Sequence, residues 1–178
     1  MTDIYIDLNP VDYITIDAIG KPGKRVFYLQ GRQGDEIITL LMEKAQVETL
    51  SVSVEQMLVE IHEKYTDLEN AVADYDEEDM QVISPMDPLF RIGELGLSFN
   101  PEKDLLILYA REMPFLDEDV EENESRVVRY YCSRSQLLAL SQWGLEVANR
   151  GRSICPYCNQ PMEPEGHFCP KKNGHKKH

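Results

Sequence analysis

Hydrophobic and polar positions along the chain fall into two rounds of one pattern. The first round holds three strand-like runs over residues 11–19, 25–31 and 36–42. In the first run Val11 and Tyr13 oppose Ile14, Ile16 and Ala18, the two-residue alternation of a half-buried strand. Gly20-Lys21-Pro22-Gly23 and Gly31-Arg32-Gln33-Gly34 supply turn signals after the first and second runs. A helix is predicted next, because Val47, Leu50, Val54, Met57, Ile61 and Tyr65 recur at steps of three and four and form one apolar stripe. We expect that stripe to pack on the sheet of its own unit rather than to receive a partner. The second round repeats the order, with strands over residues 89–99, 105–111 and 126–132. Ser133 and Gln136 form a capping box, Leu137, Leu140, Gly144 and Ala148 share a stripe, and Gly151 is placed for the C-terminal cap.

The rounds can be laid on each other. At an offset of 79 residues Pro22 meets Pro101, Lys24 meets Lys103, Val26-Phe27-Tyr28-Leu29 meets Leu105-Leu106-Ile107-Leu108, and Arg32 meets Arg111. At an offset of 90, Ile37-Ile38 meets Val127-Val128 and Lys44-Ala45-Gln46-Val47 meets Arg134-Ser135-Gln136-Leu137. The fold class expected is α+β: two βββα units related by an internal duplication, about 1–65 and 86–150, in a domain over 1–150. Residues 151–178 form a separate tail.

Composition then narrows the function. The chain has 178 residues, 42% hydrophobic and 28% charged, as in globular proteins. Its net charge is −14. Seven acids without a base lie in residues 66–84 and seven more in 112–124, so these stretches account for the whole imbalance. They read as solvated loops outside the core, and neither has the Asp/Asn-and-Gly pattern of an EF-hand. Residues 150–178 carry six Lys/Arg against Glu163 and Glu165. Nucleic acid is therefore an unfavoured partner for the body, though the basic tail leaves it open. The longest uncharged apolar run, residues 105–110, is too short to span a bilayer, and the first residues lack the basic and apolar regions of a secretory signal. A cytoplasmic location follows as an expectation, with four cysteines reduced or metal-bound.

The tail carries the clearest chemistry. Cys155-Pro156-Tyr157-Cys158 is followed by Gly166-His167-Phe168-Cys169-Pro170. A C-x-x-C turn presents two thiolates at tetrahedral spacing, with backbone amides free to hydrogen-bond the sulfurs. His167 and Cys169 can close the shell, which makes Cys155, Cys158, His167 and Cys169 the ligands of a structural zinc with no open position. His175 and His178 are alternative fourth ligands at longer spacing. Arg152, Lys171 and Lys172 offset the cluster's charge, and so small a tail needs a metal to fold. Cys132, with no base near it in sequence, reads as a core thiol, and His62 as solvated. Gly20-Lys21-Pro22-Gly23-Lys24-Arg25 lacks the spacing of a P-loop but could hold an anion between its bases. Arg91-Ile92-Gly93-Glu94-Leu95-Gly96 reads as a kinked strand or a point of close ligand approach.

These same segments resemble an uncharacterised bacterial family, a domain of unknown function of about this length. The resemblance rests on residues 20–30, on Glu43-Lys44-Ala45-Gln46-Val47, on residues 90–97, and most closely on Cys155-Pro156-Tyr157-Cys158 with Pro164-Glu165-Gly166-His167-Phe168-Cys169-Pro170 and Asn173-Gly174. It implies a soluble cytoplasmic protein, often encoded near a histidine-phosphatase-like and a lipid-kinase-like protein. Relatives usually carry an aromatic residue in place of His175, and shorter acidic stretches. No activity comes with it.

Two functional readings stand. In the first, a non-catalytic interaction or regulatory module presents its zinc knuckle and basic tail to an acidic surface, on a protein partner or on the chain's own acidic loops. In the second, Lys24, Arg25, Gln30, Glu43 and Arg91 gather in a cleft as a small-anion-binding or catalytic site. No membrane partner is expected, and stand-alone catalysis is not, since the only clear constellation is a closed shell.

Overall fold

The computed structural model describes residues 2–114, 124–163 and 165–173. The elements run β1 (Asp3–Leu8), β2 (Tyr13–Ile19), β3 (Val26–Gln33), β4 (Glu36–Met42), α1 (Lys44–Lys64), β5 (Ile92–Asn100), β6 (Leu105–Glu112), β7 (Ser125–Cys132), α2 (Arg134–Asn149) and a short α3 (Pro170–Asn173). The fold is α+β, with strands in two sheets of order β2-β3-β4 and β1-β7-β6-β5. Each half is an antiparallel meander followed by a long helix, as the hydrophobic pattern predicts. The turn between β2 and β3 shows the local logic. The Lys24 N–H donates to the Lys21 carbonyl (2.8 Å), Pro22 presets the first central position, and Gly23 takes φ +85° at the second.

Main-chain segments are exchanged between the halves. β1 lies ahead of the first meander yet pairs in parallel with β7, from Asp3 opposite Ser125 to Leu8 opposite Tyr130. Residues 89–91, ahead of the second meander, run parallel to β4: the Leu41 N–H donates to the Phe90 carbonyl (2.9 Å) and the Leu89 N–H to that of Thr39 (2.8 Å). The helices cross over too. α2 lies on β2, where the Trp143 Nε1–H donates to the Ile16 carbonyl (2.7 Å) and Gly144 allows close approach to Ile16 and Val47. α1 stands beside α2 and β5. Both helices begin with capping boxes, Glu43 with Gln46 and Ser133 with Gln136. In each, the glutamine also reaches the other half: Gln46 Nε2 donates to the Ile92 carbonyl (3.1 Å) and Gln136 Nε2 to that of Val11 (3.2 Å).

Several expectations need correction. β1 precedes the three strands the hydrophobic pattern predicts, and a strand whose parallel partner lies at the far end of the domain has no hairpin turn to announce it. β5 begins at Ile92 rather than Leu89, since residues 89–91 serve the other sheet. The α1 stripe packs on the opposite half instead of its own sheet, because helices as well as edges are exchanged. Gly151 does not form a left-handed cap; Arg150 is the C-cap, and Arg25 donates to the Val147 (2.7 Å) and Ala148 (3.2 Å) carbonyls of α2.

The first acidic stretch is no free loop. Directly after its last carboxylate, Met80 is 3% exposed and its carbonyl accepts from the Thr15 hydroxyl (2.5 Å). Tyr75 meets Trp143 edge-on at 5.9 Å, and Gln30 Nε2 and Oε1 hold the Ile83 carbonyl and N–H at 2.9 and 3.0 Å. The alternating small and apolar residues in this segment anchor it while its acids face water. Of the second stretch, Glu112 ends β6, nearly buried and ion-paired with Arg126; residues 115–123 lie outside the described residues.

The two sheets share one core, with Leu8, Ile16, Leu29, Leu40, Leu106, Leu108, Tyr130, Leu137 and Leu140 fully buried. The sheets meet closely at Gly31 on β3, where a Cβ would sit 2.4 Å from the Tyr130 ring of β7. Gly31→Ala should therefore destabilise the protein by about 1–3 kcal/mol, read by urea denaturation, since the ring is buried and cannot retreat. Tyr130→Phe should cost nothing, because the buried Tyr130 hydroxyl has no partner among the described residues.

The Glu112–Arg126 pair sets a pH dependence. Hydrogen bonds from Arg126 hold the Glu112 carboxyl below its ordinary value against the opposing effect of burial. Its contribution to stability is thus present above the unfolded carboxyl pKa, about 4.3, and is lost as pH falls through the lower folded value. Glu112→Gln should flatten the loss of stability below about pH 4.3, checked by denaturation at a series of pH values.

Candidate metal centre

Beyond α2 the chain folds back as a short hairpin. Ile154 bridges Pro161, the Cys155 N–H donates to the Gln160 carbonyl (2.9 Å) and the Met162 N–H to that of Ser153 (2.7 Å). At its tip the Asn159 N–H returns to the Cys155 carbonyl (2.9 Å), with Asn159 in the left-handed region at φ +57°. Asn tolerates that conformation better than most residues, so its place after C-x-x-C is a local signal the sequence reading passed over. A second turn, closed by Gly166 N–H to the Glu163 carbonyl (3.0 Å) with Gly166 at φ +127°, brings His167 and Cys169 back to the hairpin tip. α3 starts right after Cys169.

The result is a cluster of four donor atoms, from Cys155, Cys158, His167 and Cys169, all within 4.8 Å of one another. Bonds of 2.0–2.3 Å on a tetrahedron put neighbouring donors roughly 3.3–3.8 Å apart, so a small closure completes such a shell. His167 Nε2 already stands 3.1 Å from Cys158 Sγ. Cys155 and Cys169 are buried, and Cys158 and His167 half-buried. Backbone amides of Cys158 and Tyr157 donate to the Cys155 sulfur and draw its pKa down to about 6, favouring the thiolate a metal needs. Burial pushes the Cys158 thiol the other way, partly offset by the Gln160 amide. Thiolate and imidazole donors with amide support suit a metal such as zinc.

The surroundings tie the knuckle to the body. Arg152 pairs with Glu163 and lies against Gly23, and Lys172 Nζ sits 5.6 Å from the Tyr157 ring centroid. Lys171 is exposed. His175, Lys176, Lys177 and His178 lie outside the described residues.

A family model described as "Protein of unknown function (DUF3090)" matches residues 6–169. The chain belongs to this family. The match includes both halves of the DUF3090 fold and all four donors. Neither the curated proteins nor the solved structures compared with the chain hold a match.

The second set of sequence candidates in this DUF3090 chain is committed to the fold. Arg25 caps α2, Gln30 is buried between Thr39 and Ile83, and Arg91 is ion-paired with Glu43 at the start of α1. Lys24 stands exposed in its turn. Gly93 and Gly96 are explained by packing: a bulge at Gly93 brings the Met113 backbone to where a Cβ would be, and the Tyr109 ring covers Gly96. Cys132 is fully buried, and burial pushes its thiol far up, as a core thiol requires. His62 is exposed. No helix among the described residues is long and apolar enough to cross a membrane.

Proposed function

We propose that this DUF3090 protein is a cytoplasmic, non-catalytic interaction or regulatory module whose C-terminal knuckle is folded by one structural zinc. The observation that carries this reading is the convergence of Cys155, Cys158, His167 and Cys169 within 4.8 Å. The small knuckle has little core of its own, with Ile154, Tyr157 and Phe168 all exposed. Zinc-finger peptides bind zinc with about 10–16 kcal/mol, more than a core of this size could supply. A reducing compartment keeps such thiols available. The scaffold beneath it is read as an internal duplication of one βββα unit, supported by the matched contacts of Gln46 and Gln136.

The partner in this proposal is a protein with an acidic surface. Arg150 supports the principle within the chain, since it donates to Glu77 of the first acidic stretch at 3.0 Å. Arg152 is likewise paired in cis, and the exposed Lys171 and Lys172 are the bases this reading gives to a partner. Such contacts weaken between low and physiological salt, where screening acts beyond roughly 8–10 Å.

Elemental analysis of purified protein should give one zinc per chain. Cys155→Ala, Cys169→Ala and His167→Ala should each lose it, whereas His175→Ala should keep it; full occupancy in the cysteine variants would end the proposal. For the partner, full-length protein and its Lys171→Glu/Lys172→Glu variant should recover different proteins from native cytosol at low salt. Identical recoveries would remove the tail from the reading.

A further inference from the structure

The two helices make corresponding contacts at a spacing of 90 residues. Val47, Leu50, Ser51 and Val54 are four of the five buried positions of α1, and Leu137, Leu140, Ser141 and Gly144 are their counterparts in α2. The first strands correspond through their meanders, with Ile16 opposite Leu29 in one and Leu97 opposite Leu108 in the other. Each half thus has a cleft between the first strand of one meander and the helix of the other. The two clefts differ in what fills them.

The cleft between α2 and β2 is filled by the chain itself. Trp143 lies in it, bonded to the Ile16 carbonyl, with Tyr75 against its edge. The segment over residues 72–80 crosses it, held by the Val72 N–H to Ser135 Oγ (3.0 Å), by Met80 under the Tyr13 hydroxyl (3.2 Å), and by Arg150 on Glu77. A hollow of only about 290 Å³ is left. The cleft between α1 and β5 is open, a groove of about 580 Å³. At the positions of Ala139 and Trp143, α1 carries Thr49 and Ser53, which line the groove with Leu50 and Met57. Its other wall is the consecutive run Gly93 to Leu97, so it follows the edge of β5, whose Glu94–Leu97 backbone pairs with β6 alone among the described residues. The segment after α1 fills the first cleft; the segment after α2 folds into the metal knuckle instead. No described segment enters the groove.

We propose that the groove between α1 and β5 is a docking site for an extended segment of a partner protein that adds along β5 and inserts an aromatic side chain, tryptophan above all, where α2 supplies Trp143. A free strand edge offers the main-chain hydrogen bonds, and the pocket beside Ser53, between Leu50, Met57 and Leu97, takes the ring. Charge fixes the flanking residues. Where Tyr13 and Arg150 stand in the filled cleft, the open one has Glu94, which is largely exposed beside Arg111 (3.5 Å), and, beyond the groove's end, the exposed Glu60 one turn past Met57. The filling segment in the first cleft is acidic and meets a base; the partner here carries bases and meets acids. A second copy of this chain, at −14, is disfavoured by the same sign.

The test uses full-length protein as bait for a random peptide library, followed by fluorescence anisotropy of the selected peptides. Enriched sequences should carry an aromatic residue flanked by Lys or Arg, and replacing that residue by Ala should weaken binding by about tenfold or more. Ser53→Trp fills the groove from within and should abolish binding while leaving the thermal midpoint unchanged or higher. Glu94→Gln, which removes the charge but leaves Arg111 its pair with Asp3, should weaken it in step with peptide charge. Failure to enrich any peptide, enrichment of acidic ones, or equal binding by wild type and both variants would overturn the proposal. So would self-association of the free protein that Ser53→Trp removes, which would assign the groove to a second copy. Zinc content is measured independently, so failure here leaves the metal reading standing.

Discussion

A strand at the border of a sheet exposes a row of backbone donors and acceptors, and a three-stranded meander has two such borders with little to cover them. The architecture of this protein answers that constraint. Each meander gives the segment ahead of its first strand to the last strand of the other, β1 to β7 and residues 89–91 to β4, and each gives its helix to the other's first strand. Neither half can close its own borders. The exchange makes one core from two weak ones and explains why Gly31, Tyr130 and Leu8, from three different strands, meet at its centre. It also leaves β5 at the border of its sheet, paired with β6 alone among the described residues.

Arg25 illustrates how the exchange uses charged residues. By sequence it looks like half of an anion site, but its guanidinium closes the carbonyl end of α2, a helix from the other half. Positive charge there opposes the negative end of the helix dipole and satisfies acceptors that would otherwise be unpaired. Glu43 and Arg91 similarly join the start of α1 to the segment that borders β4. These residues fasten the halves together.

Local features were readable from sequence and relations between halves were not. The eight-element βββα-βββα order, both helices, the capping boxes and the Cys-x-x-Cys knuckle all depend on residues within a few positions of one another. β1 escaped notice because Ile4, Tyr5 and Ile6 carry no period that separates a strand from a disordered start, and its partner is more than a hundred residues away. The packing of Tyr75 and Met80 escaped because seven carboxylates dominate the composition of their segment, whereas burial there depends on three apolar side chains and the Thr15 hydroxyl. For the metal cluster, residue type and spacing already narrow the ligands. What spacing cannot supply is the backbone course that returns the Asn159 N–H to the Cys155 carbonyl and places the Tyr157 and Cys158 amides on the Cys155 sulfur.

The parallel pairing of β1 with β7 bears on the order of events on the ribosome. β1 is made first, and the strand it must lie against is made about 120 residues later, with Asp3 awaiting Ser125. Until then a stretch containing Ile4, Tyr5, Ile6 and Leu8 has no partner, and such stretches are what nascent chains lose to aggregation. Asp3 and Asp7 interrupt it with charge, and once β6 and β7 emerge the same carboxylates take Arg111 and Arg129 as ligands. The two aspartates therefore serve twice: as gatekeepers while the segment waits, and as clasps when it docks.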